Sequence, residues 1–159
     1  MPQRHGKAPR ATGYSGTPLA QKLGIRAQCR LYVRGAPSGY ARLIGRLPAG
    51  AAFVSRLDAA TDLIHLFSTQ RNELATLLGS IRENMRPDAA IWVSWPKKSA
   101  GVPSELTEDV VRELALPLQL VDIKVCAVDA TWSALKLVVR KAARPAPTRT
   151  PARRAAHPR

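Results

Sequence analysis

The chain is predicted to fold as a three-layer α/β domain, a mostly parallel six-stranded sheet with a C-terminal antiparallel hairpin strand. Three observations predict this. Residues 62–67 and 90–95 are the two most apolar short runs of the sequence. Between them Leu74, Leu77, Leu78, Ile81 and Met85 recur at the spacing of one helical stripe. Two strand-like runs near the end are joined by a turn too short for anything but an antiparallel hairpin. A strand, helix and strand of this length make a right-handed βαβ unit, so the two apolar strands are parallel neighbours.

The remaining elements follow in chain order. Thr17 before Pro18 reads as a helix cap with proline at the first helical position, and Gly24 stops the short helix 19–23. Residues 28–34 form the first strand, with Cys29, Leu31 and Val33 on one face and Arg30, Tyr32 and Arg34 on the other. Gly35, Ala36, Pro37, Ser38 and Gly39 make a turn in which Ser38 is the expected cap of helix 40–45. A short strand at 51–55 and the connection 57–61 lead into the central unit, where Thr69 reads as the helix cap. Glu108 and Asp109 favour the positive end of the next helix, and Pro117 ends it. Strands 120–128 and 133–140 close the sheet. The expected strand order is 2-1-3-4-6-5, strand 6 antiparallel, in one domain spanning 13–141.

The 159 residues carry a net charge of +14, with 45% apolar and only 5% aromatic content. That composition suits one domain with a real core plus tails. No run approaches the roughly 18 apolar residues of a membrane span, and the amino terminus lacks the apolar core of a signal peptide, so a cytoplasmic protein without a membrane partner is expected. Cys29 and Cys126 show neither CxxC nor Cys/His ligand spacing, so both are expected reduced, with no metal site. The basicity belongs to the ends: residues 1–28 and 140–159 contain no acid, while all eleven acids lie in 29–139 against thirteen bases. Segment 1–12 and the Ala/Pro/Arg-rich tail 142–159 are expected to be disordered. In the tail, Arg144, Arg149, Arg153, Arg154 and Arg159 could neutralise nucleic-acid phosphates; the alternative is a solubilising extension.

Candidate ligand residues sit where the first, third and fourth strands end: Gly35, Ser68, Trp95, Lys97 and Lys98, with His65 inside the third strand. Lys97 and Lys98 could hold a phosphate or carboxylate, or simply be solvated. Trp92 is expected against a helix, and Trp95 on the same face at the rim, where an aromatic plane could stack a base. His65 could act as a general base, yet a lone histidine between Ile64 and Leu66 more often serves the core. Gly35 and Gly39 are spaced G-x-x-x-G around Pro37, a poor cofactor loop, and no acid ends the second strand to bind a ribose; Asp58 lies a few residues beyond.

The segment Arg86-Pro87-Asp88-Ala89-Ala90-Ile91-Trp92-Val93, with the helix, strand and antiparallel strand after it, resembles the later part of the Rossmann-like fold of S-adenosylmethionine-dependent methyltransferases. A closer resemblance is to an uncharacterised bacterial family of domains of unknown function, the one numbered three thousand and fifty-two. It rests on Gly13-Tyr14-Ser15-Gly16-Thr17-Pro18-Leu19-Ala20, Asp62-Leu63-Ile64-His65-Leu66-Phe67, Trp92-Val93-Ser94-Trp95-Pro96-Lys97-Lys98, Leu106-Thr107-Glu108-Asp109-Val110-Val111-Arg112 and Val125-Cys126-Ala127-Val128-Asp129-Ala130-Thr131-Trp132-Ser133. These resemblances imply a Rossmann-like layout, an actinobacterial-type origin and no known activity. The leading expectation is a non-catalytic protein binding a small molecule or protein partner in a crevice at the carboxyl edge of the sheet, without a cofactor. The alternatives are a divergent methyltransferase using S-adenosylmethionine with His65 or Asp129, and a nucleic-acid accessory protein acting through its tails.

Overall fold

The computed structural model describes residues 16–145. The expected segment 1–12 and most of the basic tail, with Arg149, Arg153, Arg154 and Arg159, lie outside the described residues. Arg144 is exposed, and its Nε donates to the Val139 carbonyl at 2.9 Å.

Six strands form one sheet in the order β2-β1-β3-β4-β6-β5: β1 Arg30–Arg34, β2 Ala52–Val54, β3 Leu63–Phe67, β4 Ala90–Pro96, β5 Leu120–Ala127 and β6 Trp132–Val139. The first four run parallel, and β6 lies antiparallel between β4 and β5. The expected strand order and Rossmann-like architecture are therefore the observed ones. Helices α1 Leu19–Leu23 and α2 Tyr40–Ile44 cover one face, α3 Arg71–Asn84 and α4 Glu108–Ala115 the other. No helix among the described residues is long and apolar enough to cross a membrane.

Every residue of β3 and β4 is buried, so both faces of the sheet centre need a cover. On the α3/α4 side Ile64, Leu66, Ile91, Val93 and Trp95 pack against Leu74, Leu78, Ile81 and Val111. On the other side Leu63, Phe67 and Trp92 meet Leu19, Leu23, Tyr40 and Ile44. Trp92 Nε1 donates to the Leu23 carbonyl at 2.9 Å, closing the last turn of α1 onto the sheet as expected of a helix-packed Trp92. Trp95 does not share that face. Trp95 lies three positions after Trp92, and an odd interval reverses the side in a strand.

Three expected caps also differ. Pro18 and Gly39, not Thr17 and Ser38, occupy the cap positions of α1 and α2, without side-chain bonds. At α3 the chain supplies an acceptor from elsewhere: Glu105 Oε1 takes the Arg71 N–H at 3.1 Å, while Thr69 offers only its carbonyl, to the Glu105 N–H at 2.8 Å. A carboxylate gains more than a hydroxyl from the partial positive charge of a helix start. Thr107 does cap α4, accepting from Val110 N–H at 3.2 Å.

Gly35 has φ of 75°, and a Cβ built there would stand 2.6 Å from the Phe67 carbonyl oxygen. Backbone of the turn after β1 thus packs directly on the end of β3. Gly35→Ala combines left-handed strain with that clash and should lower stability by about 2–4 kcal/mol in urea unfolding. A loss under about 1 kcal/mol would show that the Phe67 carbonyl yields.

Candidate functional site

Because β1, β3 and β4 are parallel neighbours, the loops beginning at Gly35, Ser68 and Lys97 leave the sheet along one edge. The chain order reverses between β1 and β3, with β2 on one side and β4 on the other, which is where an open α/β sheet forms its crevice. The expected rim is thus assembled, and its residues differ in what they can offer.

Gly35 is filled by the Phe67 carbonyl, whereas Gly39, with φ of 84°, faces open space at the start of α2. Ser68 is buried; its hydroxyl pairs with both the N–H and the carbonyl of Gln70 at 3.3 Å, a local turn that leads into α3. Its own N–H donates to the Ser94 carbonyl at 3.1 Å. Lys97 is half-buried and anchored through its N–H to the Thr131 carbonyl at 2.7 Å, and Lys98 is exposed at the start of a 3₁₀ turn that Gly101 ends. Trp95 is 7% exposed and belongs to the α3/α4 core, so its ring contributes packing. Of the expected ligand side chains, Lys98 is exposed and Lys97 partly so.

His65 is fully buried between two partners. Its Nδ1 stands 2.7 Å from the Tyr40 hydroxyl and its Nε2 2.7 Å from Ser94 Oγ, so both ring nitrogens are engaged. Tyr40 meets its ring edge-on and Phe67 meets it at a tilt, and Phe67 in turn packs edge-on against Tyr40 and Trp132. Burial alone drives its pKa down to about 3, so the imidazole is neutral at physiological pH. Burial likewise raises the Tyr40 phenol. The trio is a sealed hydrogen-bonded chain linking α2, β3 and β4. The sequence carried a signal for Ser94: a single hydroxyl in a wholly apolar strand, two residues beyond Trp92, the register partner of His65. Nothing local marked Tyr40, because its contact with His65 forms only once α2 lies on the sheet.

Asp129 is also engaged. Its Oδ1 accepts the N–H groups of Thr131 at 2.8 Å and Trp132 at 2.7 Å, which shapes the hairpin turn. Cys29 and Cys126 are unbridged, and burial raises both thiols above their ordinary value. Among the described residues no cluster of His, Cys, Asp and Glu could hold a metal ion. At the opposite, amino edge, a cleft of about 420 Å³ is lined by Arg26, Cys29, Asp62 and Arg86. There Asp62 is held by the Arg86 guanidinium at 2.7 Å and the Arg30 N–H at 2.8 Å, bonds that outweigh its burial and keep its carboxyl below the usual range.

No family model and no curated protein matches the chain. Among solved structures it is similar to a SAM-dependent methyltransferase from Aquifex aeolicus, at 12% identity and TM-score 0.58 over 76% of this chain and 87% of that one. It is also similar to ribosomal protein L11 methylase from Lactobacillus delbrueckii subsp. bulgaricus, at 11% identity and TM-score 0.53 over 77% and 75%. A third likeness is to Aeropyrum pernix fibrillarin in complex with S-adenosyl-L-methionine, at 14% identity and TM-score 0.50 over 76% and 73%. At such identities the likeness shows a shared methyltransferase-type fold.

His65 ties stability to pH. The unfolded chain takes a proton on this ring near its ordinary value of 6.5, whereas the folded chain refuses it until about 3. Within that window the unfolded state binds more protons, so its share of stability falls as pH drops, by about 1.4 kcal/mol per unit. His65→Phe should flatten that component of urea midpoints measured between pH 7 and 4.5. It should also cost about 1–3 kcal/mol at pH 7 for each hydroxyl left without its partner. Equal pH slopes in wild type and variant would refute the buried neutral ring.

Proposed function

We propose that the chain is a divergent S-adenosylmethionine-dependent methyltransferase whose cofactor crevice lies at the carboxyl ends of β1 and β3. The observation that carries this reading is the strand order, with an antiparallel β6 inserted beside β4, on the fold shared with the methyltransferases named above. The residues present fit the cofactor in part. Gly39 leaves open room where backbone could approach a ligand, and Lys97 and Lys98 on the same edge suit a ligand carboxylate. Gly35 offers no such room, and no acid occurs between Ala52 and Leu57 to hold a ribose.

S-adenosylmethionine, when bound, supplies a methyl group already activated on a sulfonium, which passes to an acceptor lone pair as the carbon–sulfur bond breaks. The chain is therefore asked for alignment and water exclusion more than for a strong base. The sealed Tyr40–His65–Ser94 chain would serve as a rigid floor beneath the crevice, and the 36–39 loop as its wall. Kinship with the uncharacterised family belongs to the same reading and rests on the segments quoted above.

A second reading, ligand or partner binding without catalysis, is favoured by one specific observation. The side chains with acid–base chemistry near this edge are engaged by the fold: His65 through both ring nitrogens, Asp129 through Oδ1 and Glu105 through Oε1.

S-adenosylhomocysteine at ten times its dissociation constant should raise the melting midpoint by about 3 °C. Lys97→Ala/Lys98→Ala should weaken its binding about 5–10-fold in calorimetric titration, as expected for a partly exposed charge-assisted contact. No shift at millimolar ligand removes the proposal. A shift without turnover of S-adenosylmethionine over a panel of acceptors selects the second reading.

A further inference from the structure

The first elements of the folded chain carry bases and no acid. The first acid is Asp58, and the stretch from Gly16 to Leu57, which builds α1, β1, α2 and β2, carries seven Lys or Arg. Glu108, Asp109, Glu113 and Asp122 pair with Arg71 or Arg112 on the α3/α4 side, while Asp62 and Asp88 pair with Arg86 at the amino edge. Arg26, Lys124 and Lys136 belong to the described cations that no carboxylate reaches within ion-pair distance, those paired being Arg71, Arg86 and Arg112.

These three cations nevertheless converge. Lys124 and Lys136 are register partners across β5 and β6, so their side chains stand side by side on the α1 face. Directly opposed like charges destabilise a sheet pair. Lys136 Nζ lies 5.8 Å over the Trp92 ring and 3.7 Å from where a side chain on Gly24 would begin. Its pKa is lowered, first by burial and then by Lys124 and Arg26, so the three share one electrostatic field. Lys22, nearly buried, crosses beneath them with its Nζ on the Ala127 carbonyl at 2.9 Å.

Two clefts run along the flanks of α1. One of about 430 Å³ lies between α1 and β5 and is lined by Thr17, Gln21, Lys22, Lys124 and Cys126. The other, about 500 Å³, lies towards the α2–β2 loop and is lined by Gln21, Arg26 and Arg46. Gln21 is common to both, so the clefts adjoin across α1. The apolar residues of this helix, Leu19, Ala20 and Leu23, are all buried, which leaves it no side chain to insert into a bilayer. Repulsion among cations that the fold holds together is relieved by an anion, and cations spaced along adjoining open clefts suit an extended one.

We propose that the α1/β5 face is a nucleic-acid-binding surface, with Arg26, Lys124 and Lys136 contacting successive phosphates of the sugar–phosphate backbone. The contacts are electrostatic and sequence-blind, and they belong to the folded domain rather than to the basic ends. The inference stands apart from the methyltransferase reading, since it uses neither the carboxyl-edge crevice nor a cofactor.

The test uses the full chain and fluorescence anisotropy with labelled 20-mer RNA and DNA across a salt series. Arg26→Glu/Lys124→Glu should weaken binding at least tenfold near 100 mM salt. The neutral Arg26→Gln/Lys124→Gln should weaken it less and reduce the slope of log K against log salt by about two, one for each lost phosphate contact. Both variants should melt within a few degrees of wild type, because the substituted side chains are exposed. Deleting residues 146–159 should leave the effect of the paired substitutions in place. Unchanged affinity and slope in both variants would overturn the proposal. So would full loss on tail deletion alone, equal affinity for polyglutamate, or binding to phosphatidylserine vesicles without binding to either oligonucleotide.

Discussion

The rest of the molecule depends on the pairing of two strands with no exposed residue. Leu63–Phe67 and Ala90–Pro96 are buried throughout, so neither face of the sheet centre can meet water. Each large apolar side chain withdrawn there contributes about 1.5–3 kcal/mol, but only if helices close over both sides. Parallel pairing forces the connections to cross from one edge to the other, and it is these crossovers that deliver the helices. The same geometry gathers the outgoing loops of β1, β3 and β4 on one rim. Cover and crevice are thus two results of one constraint.

Polar groups within that apolar slab decide how the cover sits. Among the described residues every buried side-chain nitrogen or oxygen has a partner. Tyr40 reaches His65, His65 reaches Ser94, and the Trp92 indole reaches the last turn of α1. The helices α1 and α2 are only five residues each, too short to be stable alone. Apolar contact could hold them in several positions. A hydrogen bond left unmade in the interior costs about 1–3 kcal/mol, and that penalty selects one position for each.

How much of this was legible in the sequence follows from the range over which each signal acts. Strand order was legible, because apolar runs, helical periodicity and one short turn prune the topologies to a few. Side-chain direction was legible wherever strand parity was respected: the interval of three between Trp92 and Trp95 places them on opposite faces. The cap of α3 was not legible at Thr69, since its acceptor is Glu105, over thirty positions away in sequence. Of the candidate site residues, Lys98 keeps the exposed character its type suggests, and Lys97 is half-buried. Gly35, Ser68 and His65 are claimed by the Phe67 carbonyl, the Gln70 backbone and the Tyr40–Ser94 pair, contacts that only the assembled fold creates. Net charge by segment was legible too: every acid lies at or beyond Asp58, and the stretch that builds α1, β1, α2 and β2 carries bases alone.

That division bears on where chemistry can reside. The central strands spend their polar atoms on the fold, so any reacting or recognising group must come from loops, helices or the sheet margin. The carboxyl edge presents Lys97 and Lys98, and the α1/β5 margin presents Lys124 beside Arg26 and Lys136. Six of the eleven acids, by contrast, are tied to Arg71, Arg86 and Arg112, on the α3/α4 side and at the amino edge. A surface so arranged attracts anions, and the carboxylates near the carboxyl edge, Glu105 and Asp129, are engaged by backbone N–H groups. It favours reactions whose leaving group is already activated, and recognition that relies on charge rather than on base edges.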